Sequence, residues 1–292
     1  QAAHIDAMAD SVAAASSPTA ADSFASTLPL LGKTAIVTGS AQGIGAGIAL
    51  ELARAGADVC VNYISGEATD AAQVADAIQE AGRRALLVEA DVSSRPAVER
   101  MFDEAESSLG PVSILVTNAV ASTRSSLLDM EFEAFQRTID IAVHGVFHSM
   151  QLAARRMVAR GGKGCSIVHV TSPHYRGPFK DAIDYNAAKA AAHHLVLSAA
   201  NELMWKGVRV NMVQPGWTDT RGERRLFSEE ALASAASTMP LGRLGLPSDI
   251  GKAVVWLCSD EATYVVGANI AVDGGQFIET APSWAGGLAK RV

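Results

Sequence analysis

Tyr185 and Lys189 stand four residues apart in a stretch predicted to be helical, so their side chains share one helix face. An ammonium beside a phenol favours the phenolate and draws a tyrosine down from about 10 towards the working range of a general acid/base. Taken alone, the spacing also fits an exposed helix pair. The run Ser166-Ile-Val-His-Val-Thr171 predicts a strand ending at Ser172, which puts a hydroxyl at a strand's carboxyl end, where open α/β sheets bind ligands. A carbonyl oxygen held between the Ser172 and Tyr185 hydroxyls and facing a hydride donor would be polarised for reduction. Ser172 also suits a plain turn, since Pro173 follows it.

A second group of residues suits a phosphate-bearing cofactor. The run Thr38-Gly39-Ser40-Ala41-Gln42-Gly43-Ile44-Gly45 follows an apolar stretch. Its glycines allow a tight turn, close backbone approach and close helix packing, so the following helix can point its N-terminus at a pyrophosphate. A packing turn is the alternative reading. The next predicted strand ends in Val61-Asn62-Tyr63-Ile64-Ser65, where dinucleotide folds meet the adenosine ribose and an acidic side chain favours NAD. This segment has no carboxylate, and Asn62, Tyr63 and Ser65 can donate hydrogen bonds, so it favours NADP(H) and leaves NAD(H) open. No Arg or Lys lies there to pair with a 2′-phosphate.

These residues need a sheet to position them. Short apolar runs at 34–38, 58–63, 85–91, 113–117, 166–171, 208–213 and 269–272 alternate with amphipathic stretches at 43–56, 67–82, 94–109, 131–160, 183–206 and 247–259. Most runs are apolar throughout, which predicts a sheet covered on both faces. The expected fold is α/β: a single doubly wound Rossmann-type domain with a seven-stranded, mainly parallel sheet. The expected boundaries are a flexible Ala/Ser-rich extension over 1–30, part of it (before Met8) read as a tag remnant, a domain over 31–279 and a tail over 280–292. The segment 216–246 breaks the strand and helix rhythm and is expected to form a lid or substrate wall.

Net charge is −7, which argues against a nucleic-acid or anionic-membrane partner. Cys60, Cys165 and Cys258 have neither disulfide nor metal-ligand spacing and read as buried apolar residues; no metal is expected. No apolar run reaches the roughly eighteen residues of a membrane helix, and no Lys or Arg precedes Lys33, so a cytoplasmic location is expected.

Taken in chain order, these motifs resemble the short-chain dehydrogenase/reductase family over roughly residues 30–280. The cofactor turn at 38–45, Asp91-Val92 for the adenine, Asn118-Ala119, and Pro215-Gly216 with Thr218 and Thr220 beside the nicotinamide are similar to its cofactor-binding motifs, and Asp273-Gly274-Gly275 to the usual end of its last strand. The resemblance implies that Tyr185 exchanges the proton, Ser172 orients the substrate oxygen, and Lys189 tunes Tyr185 and binds the ribose. It also implies a small carbonyl or alcohol substrate and a homotetramer or homodimer built on 131–160 and 183–206. His174, Phe179 and Trp217 are the expected substrate contacts, although His174 also fits a surface-loop histidine. Arg176, Lys180 and Arg221 suggest a basic cleft entrance and an anionic or polar substrate.

Two positions depart from the family pattern. Val120 replaces a glycine, and Ala142 stands where the family carries its catalytic asparagine. The main-chain oxygen of Ala142 could still hold a water near Lys189, and His144 lies two residues on, on a different helical face. The leading reading is an NADP(H)-preferring oxidoreductase; the alternative is a catalytically weak NADP(H)-binding sensor or structural subunit.

Overall fold

The computed structural model describes residues 28–278. In chain order it contains β1 (Thr34–Val37), α1 (Gly43–Arg54), β2 (Asp58–Tyr63), α2 (Ala68–Glu80), β3 (Ala85–Glu89), α3 (Arg95–Leu109) and β4 (Val112–Thr117). Then follow α4 (Phe132–Ile139), a π-turn (Asp140–His144), α5 (Gly145–Ala159), β5 (Cys165–Val170), α6 (Ile183–Leu203) and β6 (Val208–Pro215). The last elements are α7 (Arg221–Leu226), α8 (Glu229–Thr238), α9 (Pro247–Cys258) and β7 (Asn269–Val272).

All seven strands lie in one sheet in the order β3-β2-β1-β4-β5-β6-β7, and every pairing is parallel. The order reverses direction between β1 and β4, so the crevice beyond their carboxyl ends is the ligand position of a doubly wound sheet. β1 is buried at every position, as is β5. Helices cover both faces, so these strands read as mainly apolar runs, and the polar residues they carry are bonded inside: Thr34 to the Leu109 oxygen, Ser166 to the Leu257 oxygen and His169 to Thr117. The edge strand β3 is only partly buried.

One core packs α3, α5 and α6 against one face; the other packs α1 and α9 against the opposite face. Helices α1 and α9 approach through glycine. A Cβ on Gly47 would lie 2.4 Å from Pro247 Cβ, and one on Gly251 2.7 Å from Glu51 Cγ. That contact fixes the helix whose N-terminus follows the glycine turn.

Leu30 belongs to this body, not to an extension: it is fully buried and its N–H donates to the Ala55 oxygen at 2.8 Å. Residues 1–27 of the expected extension and the expected tail over 280–292 lie outside the described residues. The expected wall at 216–246 supplies two short helices, α7 and α8. All three cysteines are buried and unpaired; burial pushes the Cys60 and Cys258 thiols up to about 12. Among the described residues no helix is long and apolar enough to cross a membrane.

Candidate active site

β1 runs directly into the glycine turn. Gly39 has φ 62 and Gly43 φ 57, backbone that side-chain-bearing residues rarely adopt. A Cβ on Gly45 would lie 2.3 Å from the Gly39 oxygen and 2.6 Å from Asn118 Nδ2, so no side chain fits there. Asn118 at the end of β4 fastens the turn, with Nδ2 donating to the Thr38 and Gly39 oxygens at 3.0 and 2.9 Å. Ala119 packs so near Gly39 that a Cβ there would meet its Cα at 2.9 Å. No side chain caps α1, which leaves its first N–H groups to other acceptors.

The adenosine end departs from expectation at two residues. Ser40 is fully buried; its hydroxyl donates to the Val37 oxygen at 2.7 Å and accepts from the Asn62 N–H at 3.1 Å. Asn62 is 1% exposed: its Oδ1 accepts from the Gly39 N–H at 3.0 Å and its Nδ2 donates to the Ala90 oxygen at 2.8 Å. Both side chains are buried and brace the turn with their donors engaged. Tyr63 is half-buried and Ser65 exposed. Sequence reasoning stopped at Ser65 and missed Glu67, whose carboxylate accepts from Gln42 Nε2 at 2.8 Å within the turn itself. Asp91 is bound by the Ser93 N–H and hydroxyl at 2.9 and 2.7 Å and by Arg137 at 2.6 Å. Burial raises its carboxyl, but these partners outweigh it and hold the group below the usual range. Val92 beside it is buried against Gly145, where a Cβ would lie 2.6 Å from Val92 Cγ2.

Ser172, Tyr185 and Lys189 come together in a cavity of about 580 Å³. The same cavity is lined by Ile44, Asn118, Val120, His174, Phe179, Pro215, Gly216, Trp217, Thr218 and Thr220. Lys189 is 3% exposed, donates to the Val170 oxygen at 2.8 Å, and lies 5.5 Å from the Tyr185 ring centroid. Burial draws its ammonium down to about 8. The phenol of Tyr185 does not move down as expected. Burial pushes it up, helped by the charge of Glu223 and against a hydrogen bond with Ser172 and the charge of Arg124.

His174 Nδ1 lies 2.6 Å from Asn186 Oδ1, and Asn186 Nδ2 donates to the Phe179 oxygen at 2.7 Å. The amide orientation assigned by that second bond makes Nδ1 the donor and leaves Nε2 an acceptor. The imidazole stacks on Phe179 with centroids 3.9 Å apart and meets Tyr185 edge-on at 4.8 Å. Burial keeps it below its ordinary 6.5, although the Asn186 bond acts the other way.

The expected basic entrance is rebuilt. Arg221 donates to both oxygens of Asp70 at 2.6 Å and lines a separate cavity of about 340 Å³ with Gln42 and Pro247. Lys180 lines the main cavity beside Asp181 at 3.9 Å. The cation that sequence reasoning missed is Arg124, in the loop after β4, with its guanidinium carbon 5.5 Å from the Tyr185 ring centroid. Glu223, Leu226 and Phe227 of the wall also line the cavity, and Trp217 Nε1 donates to Glu223 at 2.8 Å.

Ala142 is 2% exposed within the π-turn, so no side-chain relay exists at that point. His144 does not replace it: it is exposed and bonds Asp140 at 3.0 Å.

A family model described as enoyl-(acyl carrier protein) reductase matches residues 39–276. The chain is 38% identical over 247 residues to 3beta-hydroxysteroid dehydrogenase 1 of Eggerthella lenta, covering 84% of this chain and 94% of the relative. It is also 38% identical over 244 residues to cis-4-hydroxycyclohexanecarboxylate dehydrogenase of Sinomonas cyclohexanicum, covering 83% and 96%. A solved 7 alpha-hydroxysteroid dehydrogenase complexed with NADH and 7-oxo glycochenodeoxycholic acid superposes with a TM-score of 0.80 at 37% identity, covering 86% of this chain and 97% of that one. Strand order, glycine turn and family match agree: the chain belongs to the short-chain dehydrogenase/reductase family of oxidoreductases.

Proposed function

We propose that this protein interconverts a secondary alcohol and a carbonyl by hydride transfer with a nicotinamide dinucleotide. The observation that carries the reading is the meeting of Ser172, Tyr185 and Lys189 in one cavity beside the glycine turn. The turn fits the dinucleotide: a Cβ at Gly45 has no room, and the N-terminus of α1 has no side-chain cap. When bound, the nicotinamide supplies or accepts the hydride. Tyr185 exchanges the proton with the substrate oxygen, and Ser172 holds that oxygen against the phenol. Lys189 reaches the ribose side from the Val170 carbonyl. Asn118 and the turn residues hold the pyrophosphate end.

The substrate is a largely apolar cyclic molecule in this reading. Phe179, Trp217, Leu226 and Phe227 surround the cavity, and the three relatives described above are named for steroid or cyclohexane substrates. The coenzyme preference now reads as NAD(H), the reverse of the expectation from 61–65. Asn62 has no free donor, and the Glu67 carboxylate on Gln42 opposes a 2′-phosphate. A half-exposed Phe147 on α5 supports association of copies through α4 to α6.

Oxidation of cyclic secondary alcohols with NAD, or reduction of the ketones with NADH, tests the reading when run beside Tyr185→Phe. Turnover that survives in Tyr185→Phe rejects it. Coenzyme binding without turnover of any carbonyl favours the sensor reading, which the buried Ala142 supports.

A further inference from the structure

We infer that Arg124 is a substrate-binding residue that holds an anionic group, so the substrate class is hydroxy or keto carboxylates on an apolar framework. The inference rests on the alcohol/carbonyl reading of the same cavity and adds to it the charge of the ligand.

The argument starts with the charges that face the cavity. Lys189 is engaged by the Val170 oxygen at 2.8 Å and lies beneath the phenol. Lys180 and Asp181 are neighbours at 3.9 Å and offset each other in solvent. Glu223 accepts from Trp217 Nε1 at 2.8 Å. Arg124 alone of the cavity's cations has no carboxylate or carbonyl partner for its guanidinium among the described residues, where its interaction is with the Tyr185 ring.

Its placement is specific. Arg124 has φ 52 and Asp181 φ 54; they are the two non-glycine residues with positive φ among the described residues, and both line this cavity. The loop thus holds Arg124 in backbone that an arginine seldom adopts, with its planar fork over the tyrosine that meets the substrate oxygen. A guanidinium over an aromatic ring keeps its N–H edge available for a second partner, and a carboxylate is the anion that matches that edge in two parallel bonds. With the cation held 5.5 Å from the ring centroid, one small molecule can place an oxygen on Tyr185 and a carboxylate on Arg124. The same cavity is lined by the apolar side chains of Val120, Phe179 and Leu226, which suit a hydrocarbon framework.

The test separates binding from turnover. Cyclohexanecarboxylate and its methyl ester are titrated into enzyme saturated with coenzyme, for wild type, Arg124→Gln and Arg124→Lys, with calorimetry as the readout. A charge-assisted bond predicts acid binding about 10–100-fold tighter than ester binding in wild type, lost in Arg124→Gln and partly kept in Arg124→Lys. Equal affinity for acid and ester, no saturable binding of the acid, or an equal drop for both ligands in Arg124→Gln would overturn the assignment. In parallel, 4-oxocyclohexanecarboxylate and its ester are assayed with NADH and NADPH. If the acid binds through Arg124 but no carbonyl is ever turned over, the oxidoreductase reading fails while the anion site stands. Turnover of acid and ester with equal kcat/KM, unaltered in Arg124→Gln, does the reverse.

Discussion

The imidazole of His174, which lines the cavity beside Tyr185, donates from Nδ1 to Oδ1 of Asn186 at 2.6 Å, and so keeps only Nε2 for another partner. Burial lowers its basicity, so the ring is neutral at physiological pH and offers a lone pair, not a positive charge. Any acid limb of kcat/KM that belongs to His174 therefore lies below pH 6.5. Asn186→Ala removes the bond that favours the imidazolium and should move that limb lower still. A limb above 6.5, or one that rises in Asn186→Ala, contradicts this account.

Tyr185→Phe should lower kcat by about 10²–10⁴-fold, the usual contribution of a positioned proton donor. Coenzyme affinity should stay within about twofold, because the phenol is not part of the glycine turn. Stopped-flow turnover beside a fluorescence titration with NADH checks both.

Lys189 titrates in the free enzyme at about 8, because burial disfavours its charge. Carbonyl reduction that needs the ammonium should therefore lose kcat/KM as pH rises through about 8. Lys189→Arg should carry that limb above the measurable range. An alkaline limb unchanged in Lys189→Arg would show that another group titrates there. The same shift makes folding stability rise with pH between about 8 and the ordinary value of 10.5, where the unfolded chain still holds the proton and the folded chain has lost it.

Asp58 anchors the start of β2, accepting from Arg83 at 2.6 Å, from Arg84 Nε at 2.8 Å and from the Arg84 N–H at 3.0 Å. Burial raises its carboxyl, but the hydrogen bonds and charges of Arg84 and Arg83 together lower it below 3.8. The stability it contributes is complete above that unfolded value and is lost as pH falls through the lower folded value. Asp58→Asn should cost about 1–3 kcal/mol at pH 7. The Tm gap to wild type should close below about pH 4. Thermal melts from pH 7 to 3 measure the gap.

Gly45→Ala should raise the Kd for NADH by more than about tenfold, since its Cβ would displace the Gly39 oxygen 2.3 Å away or the Asn118 amide. Calorimetric titration reads this directly. An unchanged Kd would show that the turn does not meet the coenzyme.

The sheet was legible because its central strands are buried on both faces, so Ile36, Val116 and Val168 lie in short, mainly apolar runs bounded by turns. The triad was legible because helix spacing puts Tyr185 and Lys189 on one face, and β5 places Ser172 before them. Asn62 misled because a strand-end amide reads as free, whereas its pairing with the Gly39 N–H is visible only once β1 and β2 lie side by side. Arg221 misled for a similar reason: its partner Asp70 is 151 residues away in the chain. Arg124 left no local signal, since its role comes from a loop conformation that brings it over a ring 61 residues later. Glu67 was within reach, two positions past Ser65, where a wider search for a carboxylate after β2 finds it.

The burial of Cys60, Cys165 and Cys258 gives the molecule a practical property. With every thiol enclosed, the native chain should resist alkylating dyes, so it already provides the silent background that site-directed labelling requires. Phe227→Cys on the exposed rim of the 216–246 wall would then carry a single probe. Its signal would report on the surroundings of that rim without interference from the buried native thiols.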